Sequence, residues 1–126
     1  MPEYDATSFK PPAPIAIVTI LSPHTGANVS DVAMLIDTGA DVTLLPRERV
    51  SHLVDVDQLR EHYELQAFDG TRSTAPVVQL ELQLLGKSFR GQFLLTDGEH
   101  GILGRNILNS LAITFDGPAQ TWDLKR

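Results

Sequence analysis

No cysteine occurs in the 126 residues. The chain therefore has no disulfide framework and no thiolate zinc site, and nothing in it calls for an oxidising compartment. Basic residues are scarce as well, with ten Lys and Arg against sixteen Asp and Glu for a net charge of -6. A nucleic-acid or anionic-membrane surface needs clustered Lys and Arg, so neither partner is expected. Long apolar runs are also missing. The strongest stretch, Ile15 to Leu21, falls far short of the ~18 residues of a membrane span, and the N-terminus lacks a basic region followed by an apolar signal core. The expectation is a soluble, unsecreted, cytoplasmic protein. What is present is a balanced composition, 42% hydrophobic and 21% charged, with a mean hydropathy of -0.05. A chain of this length buries roughly two-thirds of its unfolded surface around one core and has no room for two lobes.

Residues 1–14, MPEYDATSFKPPAP, contain four prolines and little apolar periodicity, which predicts an extended or mobile arm before a domain spanning 15–126. From Ile15 the chain reads as short strands broken by turns. IAIVTIL and the nearly all-apolar VAMLID are expected to pair as a hairpin, VTLLP is strand-like, and Pro46 can open a short helical turn. Residues 54–61 are ambiguous. In STAPVVQLELQLL, Val78, Leu80, Leu82 and Leu84 alternate with Gln79, Glu81 and Gln83, the pattern of a half-buried strand. Asp69-Gly70 before it predicts a type I′ hairpin turn, and a further turn is expected at Gly86-Lys87. SFRGQFLL, the pair Ile102-Leu103, AITF and TWDLKR complete the strands, and GRNILNSL has helical spacing. The sum is an all-β barrel or sandwich with one short C-terminal helix.

The chemically informative segment is Met34-Leu35-Ile36-Asp37-Thr38-Gly39-Ala40-Asp41. It sets a carboxylate directly after a buried strand, where a lone charge is costly unless donors compensate it. Gly39 lets backbone amides approach, and the Thr38 hydroxyl can brace the loop. Taken alone, Asp37 could simply cap a turn, as Asp69-Gly70, Asp97-Gly98 and Asp116-Gly117 are expected to do. A second feature changes the weighing: Ile102-Leu103 runs into Gly104-Arg105-Asn106-Ile107-Leu108.

Apolar strand, Asp-Thr-Gly-Ala-Asp, apolar strand, hairpin and Ile-Leu-Gly-Arg-Asn-Ile-Leu, in that order, resemble the retropepsins, the single-domain aspartic proteases of retroviruses, and their bacterial and eukaryotic retropepsin-like relatives. The likeness covers residues 15 to about 116. It implies a closed β-barrel-like fold, an aspartic endopeptidase without metal or cofactor, and a homodimer acting on extended peptides. By the same resemblance Asp37 matches the catalytic aspartate, Thr38 the threonine that interlocks with its dimer mate, and Gly39 the residue whose carbonyl meets substrate. Ala40, Asp41, Phe68, Asp69, Gly70, Thr71 and Ile102 fall where substrate is bound, with residues 68–74 as the tip of a flap. Asp41 and Arg105 match a charged pair behind the site. Three departures stand out: Val42 replaces a second acidic residue, the flap tip reads Phe-Asp-Gly-Thr-Arg instead of a glycine-rich run, and residues 116–126 add a hairpin.

Chemistry supports the dimer independently. General acid-base hydrolysis of an amide needs one carboxylate to accept a proton and another to donate one. One Asp-Thr-Gly per chain supplies half of that, and two-fold symmetry supplies the rest. The runner-up reading is a retropepsin fold kept as a non-catalytic dimerisation or peptide-binding module. Other constellations are weak. His24, His52, His62 and His100 form no His-x-x-x-His pair and read as solvated residues. No Gly-x-Ser-x-Gly elbow occurs, and Gly101 to Gly104 is too short for a phosphate loop. Asn28-Val29-Ser30 reads as an ordinary turn, Phe115 and Trp122 as packing residues, and Arg47-Glu48-Arg49 as a solvated helical surface.

Overall fold

Strict alternation decides the interior. In the computed structural model, which describes residues 2–54, 62–66 and 69–125, strand β2 (Ala13–Leu21) buries Ala16, Val18 and Ile20 and turns Ile17 outward. Strand β6 (Arg72–Leu84) buries Val78, Leu80, Leu82 and Leu84 and exposes Gln79 and Gln83. With period 2, one face of each such strand walls the main core, and the first half of β6 turns Ala75 and Val77 to a second, smaller apolar cluster. Strands β3 (Asn28–Ile36), β4 (Leu44–Pro46), β7 (Lys87–Thr96) and β8 (Gly101–Leu103) join them in the order β2-β3-β8-β4-β7-β6. Three residues of β6 then pair back onto β2, with Ile20 opposite Leu82. That pairing closes the sheet into the expected barrel and removes its open edges there.

The β2–β3 hairpin forms as expected, with Ile15 opposite Leu35 and Val18 opposite Val32. A bulge on β3 adds one residue, and Asp31 takes a left-handed φ of 58° there. The bulge carbonyls are not left to solvent: Arg49 Nη2 donates to the Ser30 carbonyl at 2.9 Å. Arg49, expected as a plain solvated charge, thus ties α1 (Arg47–Val50) to the barrel wall. A 3-10 turn, Ser51–Leu53, follows α1. The ambiguous stretch beyond residue 54 lies outside the described residues.

Two turns differ from expectation. Strand β5 (His62–Gln66) pairs with β6 in a register that sets Gln66 opposite Arg72, so the loop between them has five residues. Gly70 has φ +85°, and the five-residue connection takes the place of the expected two-residue type I′ turn. That geometry occurs instead between β6 and β7, where Leu85 (φ 46°) and Gly86 (φ 82°) are both left-handed and Leu84 faces Lys87.

The N-terminal segment is extended but docked. Tyr4–Asp5 (β1) pairs with Ala13 and Pro14 of β2, Trp122 N–H donates to the Pro2 carbonyl at 3.0 Å, and the Phe9 and His100 rings lie 5.0 Å apart. Helix α2 (Arg105–Leu108) is shorter than the predicted GRNILNSL helix because Asn109 already caps it. Strands β9 (Ile113–Asp116) and β10 (Thr121–Leu124) form the added C-terminal hairpin. Trp122 is 1% exposed and its indole N–H donates to the Ile15 carbonyl at 3.0 Å. It plugs the end of the main core, which also holds Met34, Leu45, Leu80 and Leu103. Among the described residues no helix is long and apolar enough to cross a membrane.

Candidate active site

The residues that carry chemistry sit where β3 leaves the barrel. Asp37 follows Ile36, the last residue of β3, and its N–H donates to the Leu103 carbonyl of β8 at 3.1 Å, which extends the parallel β3–β8 ladder by one bond. The chain then turns: Ala40 N–H donates to the Asp37 carbonyl at 3.2 Å. Asp37 Oδ1 accepts the Gly39 N–H at 2.9 Å. That bond fixes the carboxylate on the loop while leaving its second oxygen for chemistry. A Cβ at residue 39 would lie 3.1 Å from Asp37 Oδ1, so glycine there keeps the space around the carboxylate open. Thr38 and Gly39 are exposed and Asp37 is half-buried. The loop therefore presents its tip outward.

Behind the tip, three bonds lock the loop to α2. Arg105 N–H donates to the Ala40 carbonyl at 2.8 Å. Gly104 N–H donates to Thr43 Oγ1 at 3.0 Å, and the Thr43 hydroxyl donates to Asn106 Oδ1 at 2.7 Å. Thr43 is fully buried, so its hydroxyl must both accept and donate to avoid a desolvation cost. Gly104 is required by contact: a Cβ there would meet the Val42 carbonyl oxygen at 2.2 Å. Thr43 and Asn106 were not singled out in the sequence. The only available signal was a hydroxyl residue inside the apolar run VTLLP, facing an amide residue in the Gly-Arg-Asn segment.

Asp41 and Arg105 are not paired. Both are exposed, and no ion pair joins them among the described residues. Instead Arg105 Nη1 donates to the Thr38 carbonyl at 2.7 Å. The expected bidentate bond yields to a single charge-assisted one, and a backbone carbonyl costs less to desolvate than a hydrated carboxylate. Arg105 still braces the loop, through bonds to the Thr38 and Ala40 carbonyls and not through Asp41.

The remaining predicted residues divide. Ile102, half-buried on β8, faces Leu35 and Leu44. Val42 and Leu44 pack with Leu65, Ala75, Val77 and Leu94, so the base of the β5–β6 hairpin and the segment after Asp41 share one apolar wall. At the hairpin tip Asp69 Oδ1 accepts the Thr71 N–H at 2.9 Å, and Arg72 pairs with Glu64 at 3.2 Å. Phe68 lies outside the described residues. A cavity of about 990 Å³ lies elsewhere, between Pro2–Thr7 and the barrel wall at Ile17 and Leu85. One chain thus presents an acidic loop, an apolar wall and a hairpin, but no enclosed cleft spanning all three among the described residues. Nor do three His, Asp or Glu side chains converge there on a common point.

These features match known proteins. The family model described as retroviral aspartyl protease matches residues 15–116. Among solved structures, the EIAV protease complexed with the inhibitor HBY-793 superposes with a TM-score of 0.56 at 21% identity, covering 78% of this chain and 86% of that one. No curated protein sequence matches the chain.

Proposed function

The chain belongs to the retroviral aspartyl protease family, and on that premise we propose that it is an aspartic endopeptidase working as a homodimer, with one Asp37 from each copy at a shared site. The observation that carries this reading is the Asp37 loop. Its carboxylate is steadied by one backbone N–H, the loop tip is exposed, and each chain has a single Asp-Thr-Gly.

Two carboxylates brought into contact share one proton, because both cannot carry charge so close together. The ionised one takes a proton from water as that water attacks the scissile carbonyl. The protonated one donates to the carbonyl oxygen, and a proton then passes to the leaving amine. The Gly39 N–H bond and the Thr43–Asn106 lock hold the carboxylate in place so that little reorganisation accompanies the reaction. An extended peptide is held as an added strand beneath the β5–β6 hairpins, with Asp69, Gly70 and Thr71 at their tips. The wall of Val42, Leu44, Leu65, Ala75 and Val77 favours apolar side chains near the cleaved bond.

The test is hydrolysis of a peptide library from about pH 4 to 8 by the wild-type chain and by Asp37→Asn, which keeps the shape but cannot take the proton. Asp37→Asn should retain its fold and lose all but a few per cent of turnover. Equal activity would overturn the reading. A wild-type chain that binds peptides without cleaving them would favour the non-catalytic module.

A further inference from the structure

Strand β2 has neighbours on both sides at its ends but on one side only in its middle. β1 pairs with Ala13 and Pro14, and β6 pairs with Thr19, Ile20 and Leu21. Between them, residues 15–18 have β3 on one side and no strand on the other among the described residues. Backbone direction in this gap follows from antiparallel alternation. Asp37 N–H, at the end of β3, points to β8, so Met34 and Val32 turn their backbone groups toward β2, where they pair with Ala16 and Val18. Those of Ile15 and Ile17 then point into the gap. The Ile15 carbonyl is met there by the Trp122 indole N–H. The N–H and carbonyl of Ile17 open onto it with no backbone partner among the described residues.

The cavity of about 990 Å³ lies at this gap. One of its walls is the N-terminal segment, held along β10 by the Pro2 bond to Trp122 and by Tyr4 N–H donating to the Gln120 carbonyl at 2.9 Å, with Glu3 bridged to Thr121. Ile15, Ile17, Ala33, Leu84 and Leu85 give it an apolar lining, and its two charged side chains, Glu3 and Asp5, are both acidic. The Ser8 and Thr7 amides donate to Asp5 Oδ1 at 2.9 and 2.8 Å and hold its carboxyl below the ordinary value of 3.8, so it stays charged near neutral pH. Among the described residues the exposed large apolar side chains are Ile17, Leu85 and Phe115, and two of these three meet at this cavity. Ile17 is 54% exposed. Leu85 holds a left-handed φ of 46° in a turn that suits asparagine or glycine. A strained, exposed leucine beside an open strand edge marks a surface kept for binding.

We propose that this gap is a docking site, separate from the Asp37 loop, for an extended peptide segment that alternates apolar and basic residues. One peptide residue exchanges two backbone bonds with Ile17 and so bridges the break between β1 and β6. The peptide's apolar side chains cover Ile17 and Leu85, and its Lys or Arg meets Glu3 and Asp5. Three observations select this occupant. An open strand edge recognises an extended backbone. The acidic lining calls for a cation. A second copy of this chain is disfavoured, because a two-fold contact here would set Glu3 and Asp5 against their own duplicates. Asp37 is not among the lining residues, so the site does not depend on cleavage.

Fluorescence anisotropy of a labelled, end-blocked Lys-Val-Lys-Val-Lys-Val peptide tests this on the full chain carrying Asp37→Asn, in which cleavage does not interfere. Binding should weaken as salt is raised. Adding Ile17→Thr or Leu85→Asn should each weaken it about tenfold or more. Ile17→Thr keeps a β-branched residue at an exposed position, and Leu85→Asn should melt higher than its parent, so neither loss can be put down to unfolding. The Glu-Val counterpart of the peptide, and the Lys-Val peptide N-methylated at alternate residues, should also bind about tenfold more weakly or worse. Unchanged affinity in both variants would overturn the proposal, as would equal binding of the acidic or the N-methylated peptide. So would the absence of any binding up to about 1 mM peptide.

Discussion

Thr43 makes two hydrogen bonds from a fully buried position, and its removal should be felt at once by the loop that carries Asp37. Thr43→Val keeps the shape, strands the Gly104 N–H and the Asn106 carbonyl oxygen, and should cost about 1–3 kcal/mol in denaturant unfolding. Thr43→Ser keeps the hydroxyl and should lose less. If the variant is folded but slow, its kcat should fall more than its KM rises, because the loop positions a reacting group. Arg105 makes a different kind of contact. Its bond goes to the Thr38 carbonyl, so Asp41→Ala and Arg105→Ala should be additive, with a coupling energy below about 0.5 kcal/mol in a double-mutant cycle. A large coupling would mean that the two charges meet after all. The sequence marked Asp37, Thr38 and Gly39 as candidates because an acid directly after an apolar strand and before glycine, followed later by Gly104-Arg105-Asn106, resembles the retropepsin pattern. It could not show which oxygen Arg105 would choose, since the Thr38 carbonyl and the Asp41 carboxylate belong to one loop and only its folded form presents the carbonyl to the guanidinium.

The elements were legible where burial imposes a period and less so where a turn could take more than one form. Leu80, Leu82 and Leu84 marked β6 without ambiguity, and the hairpin of β2 and β3 followed from two apolar runs. Asp69-Gly70 misled because the pair is compatible with several turn types, and here a longer loop lets Asp69 accept from Thr71. Leu85 gave no signal at all. A leucine at φ 46° is strained relative to asparagine, so Leu85→Asn should stabilise the β6–β7 hairpin by about 0.5–1 kcal/mol, read as a higher melting temperature. The same hairpin carries a pH dependence. Arg90 Nε donates to Glu81 Oε1 at 2.7 Å, and this bond and the Arg90 charge hold the Glu81 carboxyl below its ordinary value of 4.5, against a smaller opposing effect of burial. A depressed acid stabilises the fold above its unfolded value, and that contribution is lost as pH falls from 4.5 through the lower folded value. Wild type should therefore lose more stability over that acid window than Arg90→Gln, in paired melts at each pH.

The whole molecule is closed by contacts between residues far apart in the chain, and this is the level at which the sequence said least. No pattern in residues 1–14 announced that Pro2 and Tyr4 would dock on β10, because four prolines describe an extended backbone and not its neighbour. Barrel closure of β6 on β2 was likewise hidden, being set by sheet twist and curvature summed over six strands. The Trp122–Ile15 bond spans 107 residues of sequence. During synthesis, Ile15 waits for 107 further residues before its partner exists. The barrel end must stay unplugged until β10 has been made, so a chain stopped before Thr121 should be cleaved readily by protease while one that includes β10 resists. Wide sequence separation also slows refolding, to roughly milliseconds to seconds for a small β protein. Trp122 emission and far-UV dichroism should then change in one phase after dilution from urea; a later, separate burial of Trp122 would mean that the barrel forms first and receives its plug afterwards.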